Sequence, residues 1–243
     1  MTGLSNIVVV LVEPESPGNV GFAARAMVNF GVKRMRIVGV DPRHEEQARV
    51  FSKHAVEVLD TAEIFPDLRS ALTGVLVSWA ATARSGGPNS VSRVVVPLDQ
   101  LPDPTRFAGD VALVFGRESS GLKNEEVDLC DLAFTIPVSG EYPSMNLSHA
   151  IAVVLYDFFT RYANREPART RARPATREQR ERATMYFSDA VDRLLLREHR
   201  KGIAKRVFIN LLGRVFLSAR EAMTLIGTMR KIRDALDSIA QED

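Results

Sequence analysis

Four stretches of this sequence carry residue types suited to holding anions and sugar hydroxyls. The first is Glu13-Pro-Glu-Ser-Pro-Gly-Asn-Val-Gly21, running into Phe22-Ala-Ala-Arg-Ala26. A Gly/Pro turn lets backbone approach a ligand, and a helix N-terminus offers free N–H groups to anions. Arg25 lies six residues after Asn19, inside the first turns of the helix that follows. A lone Arg there also reads as an ordinary solvated side chain; the pattern Pro-x-Asn-x-Gly followed by Ala-Arg is the more specific signal.

The second stretch is Phe115-Gly-Arg-Glu-Ser-Ser-Gly-Leu122. Its Gly-x4-Gly spacing resembles a phosphate loop. Leu122-Lys123 stands where Lys-Ser/Thr is required, so an NTP-binding loop is rejected, and a Gly-x-Gly-x-x-Gly fingerprint is absent. What remains is a glycine-bounded turn holding Glu118, which could be a functional carboxylate or a helix cap. The third stretch, Ile136-Pro-Val-Ser-Gly-Glu-Tyr-Pro-Ser-Met-Asn-Leu-Ser-His-Ala150, crowds small and polar residues before an apolar helix. Ser144 could be only its N-cap. Asn146 is unusual in a first turn, because Asn is a mediocre helix former. His149 reads as a satisfied histidine on an apolar face, and no Ser/His/Asp spacing makes a triad. The fourth, Trp79-Ala-Ala-Thr-Ala-Arg84 followed by Ser85-Gly-Gly-Pro88, could wall a nucleoside pocket or be a plain connection.

The elements that must position these loops alternate. Ile7–Val12 is a continuous apolar, β-branched run, as in a strand buried on both faces. A helix is expected from about Val20 to Phe30, stopped by Gly31. Further strands are expected at 35–40, 75–79, 111–115 and 132–136, and a long helix from about Asn146 to Tyr162. Strands separated by helical stretches imply a mostly parallel α/β sheet. Ligands then sit beyond the carboxyl ends of the strands, in the loops after Val12, Trp79, Phe115 and Ile136.

Past Tyr162 the sequence changes character. Arg161 to Arg182 holds eight arginines and three acids, interrupted by Pro167 and Pro174. Helices are expected near 177–199, 203–214 and 219–240, two of them opened by capping boxes at Thr176/Gln179 and Ser218/Glu221. The expected organisation is an α/β domain over 1–163, a basic linker over 164–176 and a small all-α domain over 177–243.

Composition narrows the class. The chain has 243 residues, 45% apolar and 26% charged, the balance of a globule with a real core. No apolar run approaches the roughly 18 residues of a membrane span. Ile7–Val12 lacks a basic leader and does not read as a signal peptide. The single Cys130 excludes an internal disulfide and a cysteine-based metal cluster, fits a reducing cytoplasm, and reads as a small buried apolar residue. The net charge of +2 divides into −5 over residues 1–163 and +7 over residues 164–243. A basic tail on an acidic body suggests contact with a polyanion; a solvated helical surface is the plainer reading.

Pro17-Gly-Asn-Val-Gly21 with Ala24-Arg25, Phe115-Gly-Arg-Glu-Ser-Ser-Gly-Leu122, and Ile136-Pro with Ser144-Met-Asn-Leu-Ser148, taken in order, resemble the three motifs of the SPOUT RNA ribose 2′-O-methyltransferases, TrmH-like branch. Thr82-Ala-Arg84 and the basic helical extension resemble that branch's tRNA (cytidine/uridine-2′-O-)-methyltransferases. Tyr142-Pro-Ser-Met-Asn-Leu-Ser-His is closer to archaeal members than to bacterial ones. The resemblance is strong over about residues 5–163 and looser in the tail.

The resemblance implies a C-terminal trefoil knot, S-adenosylmethionine as cofactor, no metal, and a homodimer with active sites at the subunit interface. It implies tRNA as substrate, at nucleotide 32 of the anticodon loop. It places Asn19, Arg25, Glu118, Ser144 and Asn146 on functional positions. It places Ala81, Thr82, Ala83, Gly116, Ile136, Pro143, Ser144 and Met145 on cofactor-lining positions, and Arg84 and Tyr142 beside the substrate. Pro143 stands where such sequences often carry a second Ser, and removes one backbone donor. Another RNA site, or a non-catalytic RNA-binding module, would use the same fold.

Overall fold

The computed structural model describes residues 4–83, 95–140, 144–163 and 173–242, without the side chains of 239–242. These divide into two compact units, the first ending at residue 163 and the second beginning at 173.

The first unit is built on seven parallel strands: β1 (Ile7–Val12), β2 (Arg34–Val38), β3 (Glu63–Phe65), β4 (Val77–Ala81), β5 (Val95–Pro97), β6 (Val111–Phe115) and β7 (Leu132–Thr135). Their order is β3-β2-β1-β6-β4-β7-β5. Every residue of β1 and β6 is buried, as expected of strands covered on both faces. The mostly parallel α/β expectation holds.

Boundaries moved where turn chemistry overrode the apolar run. The second strand stops at Val38, because Gly39 turns away with a left-handed φ of +84°. The third begins at Val77 instead of 75: the Val75 N–H still donates to Leu72 O in a turn, 3.1 Å. Strand β7 ends at Thr135, one residue short of expectation. Strands β3 and β5 escaped the reading, being three residues each and too short to show a period.

Helix α1 (Pro17–Asn29) starts three residues earlier than expected. Ser16 caps it, accepting from the Asn19 N–H, and Pro17 occupies the first turn, where a missing N–H costs nothing. Gly31, at φ +74°, ends it as expected. Short helices α2 (Glu46–Ser52), α3 (Val56–Asp60), α4 (Leu68–Ala71) and α5 (Asn124–Asp128) follow, with the long α6 (Leu147–Tyr162). Leu147, Ile151, Val154, Leu155 and Phe158 form the buried stripe of α6, and Phe158 meets Trp79 edge-on at 6.0 Å. Cys130 is buried, as expected.

The second unit packs α7 (Arg177–Arg193), α8 (Glu198–Arg214) and α9 (Ala219–Glu242) around Ala183, Leu212, Leu217, Ala222 and Ile226. Both capping boxes are present. Helix α7 stops at Arg193, not 199, because Leu194 is already extended and α8 begins at Glu198. No glycine or proline marks that break in the sequence. Arg180 is buried and donates to the carbonyls of Leu212 and Val215, satisfying acceptors at the end of α8. Among the described residues no helix is long and apolar enough to cross a membrane.

Helix α1 lies tight against α2. A Cβ on Gly21 would sit 2.3 Å from the Ala48 carbonyl oxygen and 3.0 Å from the Ser52 N, both backbone atoms that cannot yield alone. Gly21→Ala should therefore cost about 2–3 kcal/mol. Gly202→Ala, mid-helix in α8 with nothing within 4 Å of the new Cβ, should gain about 0.5–1 kcal/mol. Denaturant unfolding of the two variants checks both signs.

Candidate active site

Strands β1 and β6 are neighbours, yet their connections leave in opposite directions. The chain from β1 passes through α1 to β2 on one side; the chain from β6 passes through α5 to β7, beyond β4, on the other. Such a switch point opens a crevice at the carboxyl ends of the strands. On the β6 side of it, at the carboxyl ends of β4, β6 and β7, lies a cavity of about 240 Å³. Its walls are Ala81–Ala83 at the end of β4, Phe115–Leu122 at the end of β6 and in the turn that follows, Thr135, Ile136 and Val138 at and beyond the end of β7, and Ser144, Met145, Leu147 and Ala150 at the entry to α6.

The β6 turn is closed by its glycines. A Cβ on Gly116 would lie 2.2 Å from the Gly121 carbonyl carbon and 2.3 Å from the Leu122 N, so the returning chain occupies the space a side chain would need. Gly121 has φ +68°, and its N–H donates to Arg117 O at 2.8 Å. On the opposite wall the Thr82 N–H donates to Phe134 O at 2.9 Å, holding the segment after β4 beside β7.

A hydrogen-bonded chain of polar side chains joins three of the four motif loops. Glu118 accepts from the backbone N–H of Glu15 (2.7 Å) and of Ser16 (3.1 Å), and from Asn19 Nδ2 (2.8 Å). Asn19 Oδ1 in turn accepts from Asn146 Nδ2 at 2.9 Å. Asn146 Oδ1 accepts from the Ser148 N–H, the Ser148 hydroxyl and the His149 N–H, capping α6. The cap of that helix is thus Asn146, which answers why Asn stands there; Ser144 lies exposed before it. The carboxylate of Glu118 does act as a cap, but across 102 residues of sequence, at the start of α1.

Neighbouring residues tighten the same seam. Glu15 accepts from the Ser119 N–H (3.0 Å) and hydroxyl (2.5 Å). Arg117 is buried between two carboxylates: Nε donates to Glu13 (2.8 Å), and Nη1 and Nη2 donate to Glu126 (3.0 Å each). Those bonds, Glu126 first, hold the guanidinium pKa above its ordinary value against desolvation. At Glu126 burial pushes the carboxyl up, but Arg117 and the Lys123 N–H outweigh it and leave the pKa below the ordinary 4.5.

The expected site residues therefore fall into groups. Ala81, Thr82, Ala83, Gly116, Ile136, Ser144 and Met145 line the cavity together, and Glu118 borders it. Asn19, Glu118 and Asn146 are bonded to one another. Arg25 stands apart. It is exposed, about 9 Å of helix rise beyond Asn19, and its side chain makes no hydrogen bond or ion pair with any described residue. His149 is exposed too, so the packed histidine expected there is corrected: the apolar stripe of α6 passes through Ile151 and Leu155 instead. Arg84, Tyr142 and Pro143 lie outside the described residues. Glu13, Glu15, Arg117, Ser119 and Glu126 were missed. Arg117 stood inside a motif already singled out, but nothing in sequence marks a buried arginine from a solvated one.

Comparison with known proteins supplies the context. The SpoU rRNA Methylase family matches residues 6–156. The tRNA (cytidine-2′-O-)-methyltransferase TrmJ of Methanocaldococcus jannaschii is 37% identical over 226 residues, covering 92% of this chain and 98% of that protein. The tRNA (cytidine/uridine/adenosine-2′-O-)-methyltransferase TrmJ of Pseudomonas aeruginosa is 37% identical over 164 residues, covering 63% of this chain and 60% of that one. The crystal structure of TrmJ from Z. mobilis ZM4 superposes with a TM-score of 0.65 at 27% identity, over 93% of this chain and 98% of that one.

The depressed Glu126 pKa makes a signed prediction. A carboxyl whose folded pKa lies below its unfolded value stabilises the fold above the unfolded value, and loses that contribution as pH falls through the folded one. The gap in melting temperature between wild type and Glu126→Gln should be full above about pH 5 and close as the medium is acidified. Thermal melts across that range measure it, and a gap independent of pH would contradict the assignment.

Proposed function

The chain belongs to the SpoU rRNA methylase family, and from that premise we propose that it methylates a ribose 2′-hydroxyl of tRNA with S-adenosylmethionine, at nucleotide 32 of the anticodon loop. The observation that supports the reading is the Glu118–Asn19–Asn146 chain, which ties together segments from three parts of the sequence, two of them walls of one cavity, while the Arg25 side chain bonds to no described residue.

The lining fits such a cofactor. Leu122, Ile136, Met145 and Leu147 offer apolar walls for a purine and a methionine side chain, and the glycine turn at Gly116 brings backbone close where a side chain cannot fit. S-adenosylmethionine supplies a methyl already activated on a sulfonium, so a metal is not needed. The protein's task is to align a ribose oxygen with that methyl.

Arg25 is assigned to the RNA. An arginine is always protonated, which makes it a poor proton acceptor and a good clamp for phosphate. It fixes the phosphate beside the target ribose and stabilises negative charge developing on the 2′-oxygen. Asn19 and Asn146 spend their hydrogen bonds on each other and on the loops, and so hold Ser144 and Met145 at the cavity. Ser144, exposed and three residues ahead of α6, is placed to meet the ribose.

Homodimerisation belongs to the same reading. Phe22 and Val28 on α1, and Val153 and Tyr156 on α6, are exposed apolar residues on two helices that pack together. A second copy covering them would bring its own residues to the rim of the site. The basic helical unit grips tRNA phosphates, with affinity that falls steeply with salt. A tRNA substrate makes the cytoplasm the place of action.

Incubation with labelled methyl donor and a tRNA transcript, followed by mapping of the alkali-resistant linkage, tests the whole reading. One 2′-O-methyl at nucleotide 32 is expected, and no incorporation would overturn it. Arg25→Ala should lower transfer by about a hundredfold or more while cofactor affinity stays within about twofold. Loss of cofactor binding instead would put Arg25 in the wrong role. Deleting residues 164–243 should weaken tRNA binding about tenfold or more in a gel-shift, with cofactor affinity unchanged.

A further inference from the structure

The functional reading uses Glu118 and leaves Arg117 unexplained. Yet Arg117 lines the cavity, and its side chain is only 8% exposed. It bonds two carboxylates in different segments. Glu126, 14% exposed, sits in the first turn of α5; Glu13, 47% exposed, sits directly after β1. Glu13 has a left-handed backbone, φ +45°, which a residue with a Cβ rarely adopts. The facing residue makes room for it: a Cβ on Gly39 would fall 2.8 Å from Glu13 Cγ. The Glu13 N–H donates to Val38 O at 2.9 Å, so the turn is also tied to β2.

A buried ion pair is weak evidence for stability, since desolvation offsets much of the Coulomb gain. Strain held in place by its surroundings points to function instead. What the pair does contribute is geometry. A guanidinium fork has fixed directions, and this one is engaged on both sides. The Glu126 side holds the cavity turn against α5. The Glu13 side sets the angle at which the chain enters α1, the helix that carries Asn19 in its first turn and Arg25 six residues later.

We propose that Arg117 is a positioning residue of the transfer reaction: with Glu126 it shapes the cofactor cavity, and with Glu13 it aims the α1 loop at that cavity. This rests on the methyltransferase reading above. Neither acid lines the cavity, and the two arms are separable because Glu126 belongs to the segment that follows the cavity turn whereas Glu13 belongs to the segment after β1.

The experiment measures three quantities on the full chain: cofactor Kd by calorimetry with S-adenosylmethionine, kcat on tRNA at saturating cofactor, and melting temperature. Glu126→Gln should raise the cofactor Kd about tenfold, the loss of one charge-assisted hydrogen-bond pair. Glu13→Gly removes the carboxylate and the strained backbone together. Its melting temperature should stay within about 2 °C of wild type. Its cofactor Kd should hold within about twofold and its kcat fall about tenfold. Arg117→Lys keeps the charge, loses the fork and should show both defects. A stable Glu13→Gly variant with wild-type kcat, or Glu126→Gln with wild-type Kd, overturns the proposal. If wild type itself binds no S-adenosylmethionine, the methyltransferase reading falls and takes this inference with it; if wild type binds and transfers while the variants match it, this inference alone falls.

Discussion

One carboxylate organises the site. Glu118 receives three donors from a loop a hundred residues away, two of them backbone N–H groups at the start of α1. Those N–H groups, of Glu15 and the N-cap Ser16, lie ahead of the helix and outside its ladder, and would otherwise need water. A negative charge there also meets the positive end of the α1 dipole. The arrangement is possible only because β1 and β6 lie side by side and send their chains in opposite directions, so that two loops emerge at one edge with nothing between them. Sheet order, more than any single side chain, decides which residues can meet.

From that seam the rest follows by ordinary accounting of hydrogen bonds. Asn19 donates to Glu118 and accepts from Asn146, so neither amide is left with an idle end facing the protein. Asn146 in turn satisfies two N–H groups at the start of α6 and one hydroxyl. Each link is worth about 1 kcal/mol net, more where the carboxylate takes part. At the part-buried Glu118–Asn19 end a broken link leaves its partner half-satisfied, whereas at the exposed Asn146 end water can replace it. The network therefore acts as a single constraint: the cavity walls after β6 and before α6 are held at fixed distances from the same asparagine.

Much of this was legible in the residues. Runs such as Ile7–Val12 and Val111–Phe115 gave the buried parallel strands, and Gly31 after Phe30 marked the end of α1, whereas Ser16-Pro17 read as a chain break although it is the start of that helix. The cavity-lining positions came from the motif resemblance, and the described ones among them do share one cavity. What stayed hidden were pairings across long stretches of chain. That Glu118 would cap α1, or that Asn146 would be cap and tether at once, depends on strand order, which local periodicity does not encode. The three-residue strands β3 and β5 have too few residues to show alternation, and the break after Arg193 carries no turn residue at all.

The two arginines of the motif loops make the same point about role. Arg25 and Arg117 are chemically identical and both sit next to small residues in Gly-rich segments. Arg117 is buried, with its fork committed to Glu13 and Glu126. Arg25 is exposed and bound to no described residue, so its charge is available to a ligand. A cation that must grip a polyanion cannot also be neutralised internally, because each carboxylate it pairs with would repel the phosphate it is meant to hold. Thus the division between committed and uncommitted charge among these two arginines is set by burial and acid placement. The acids Glu13 and Glu15 ahead of α1, and Glu118 and Glu126 after β6, are all engaged with protein donors, and none of them bonds to Arg25.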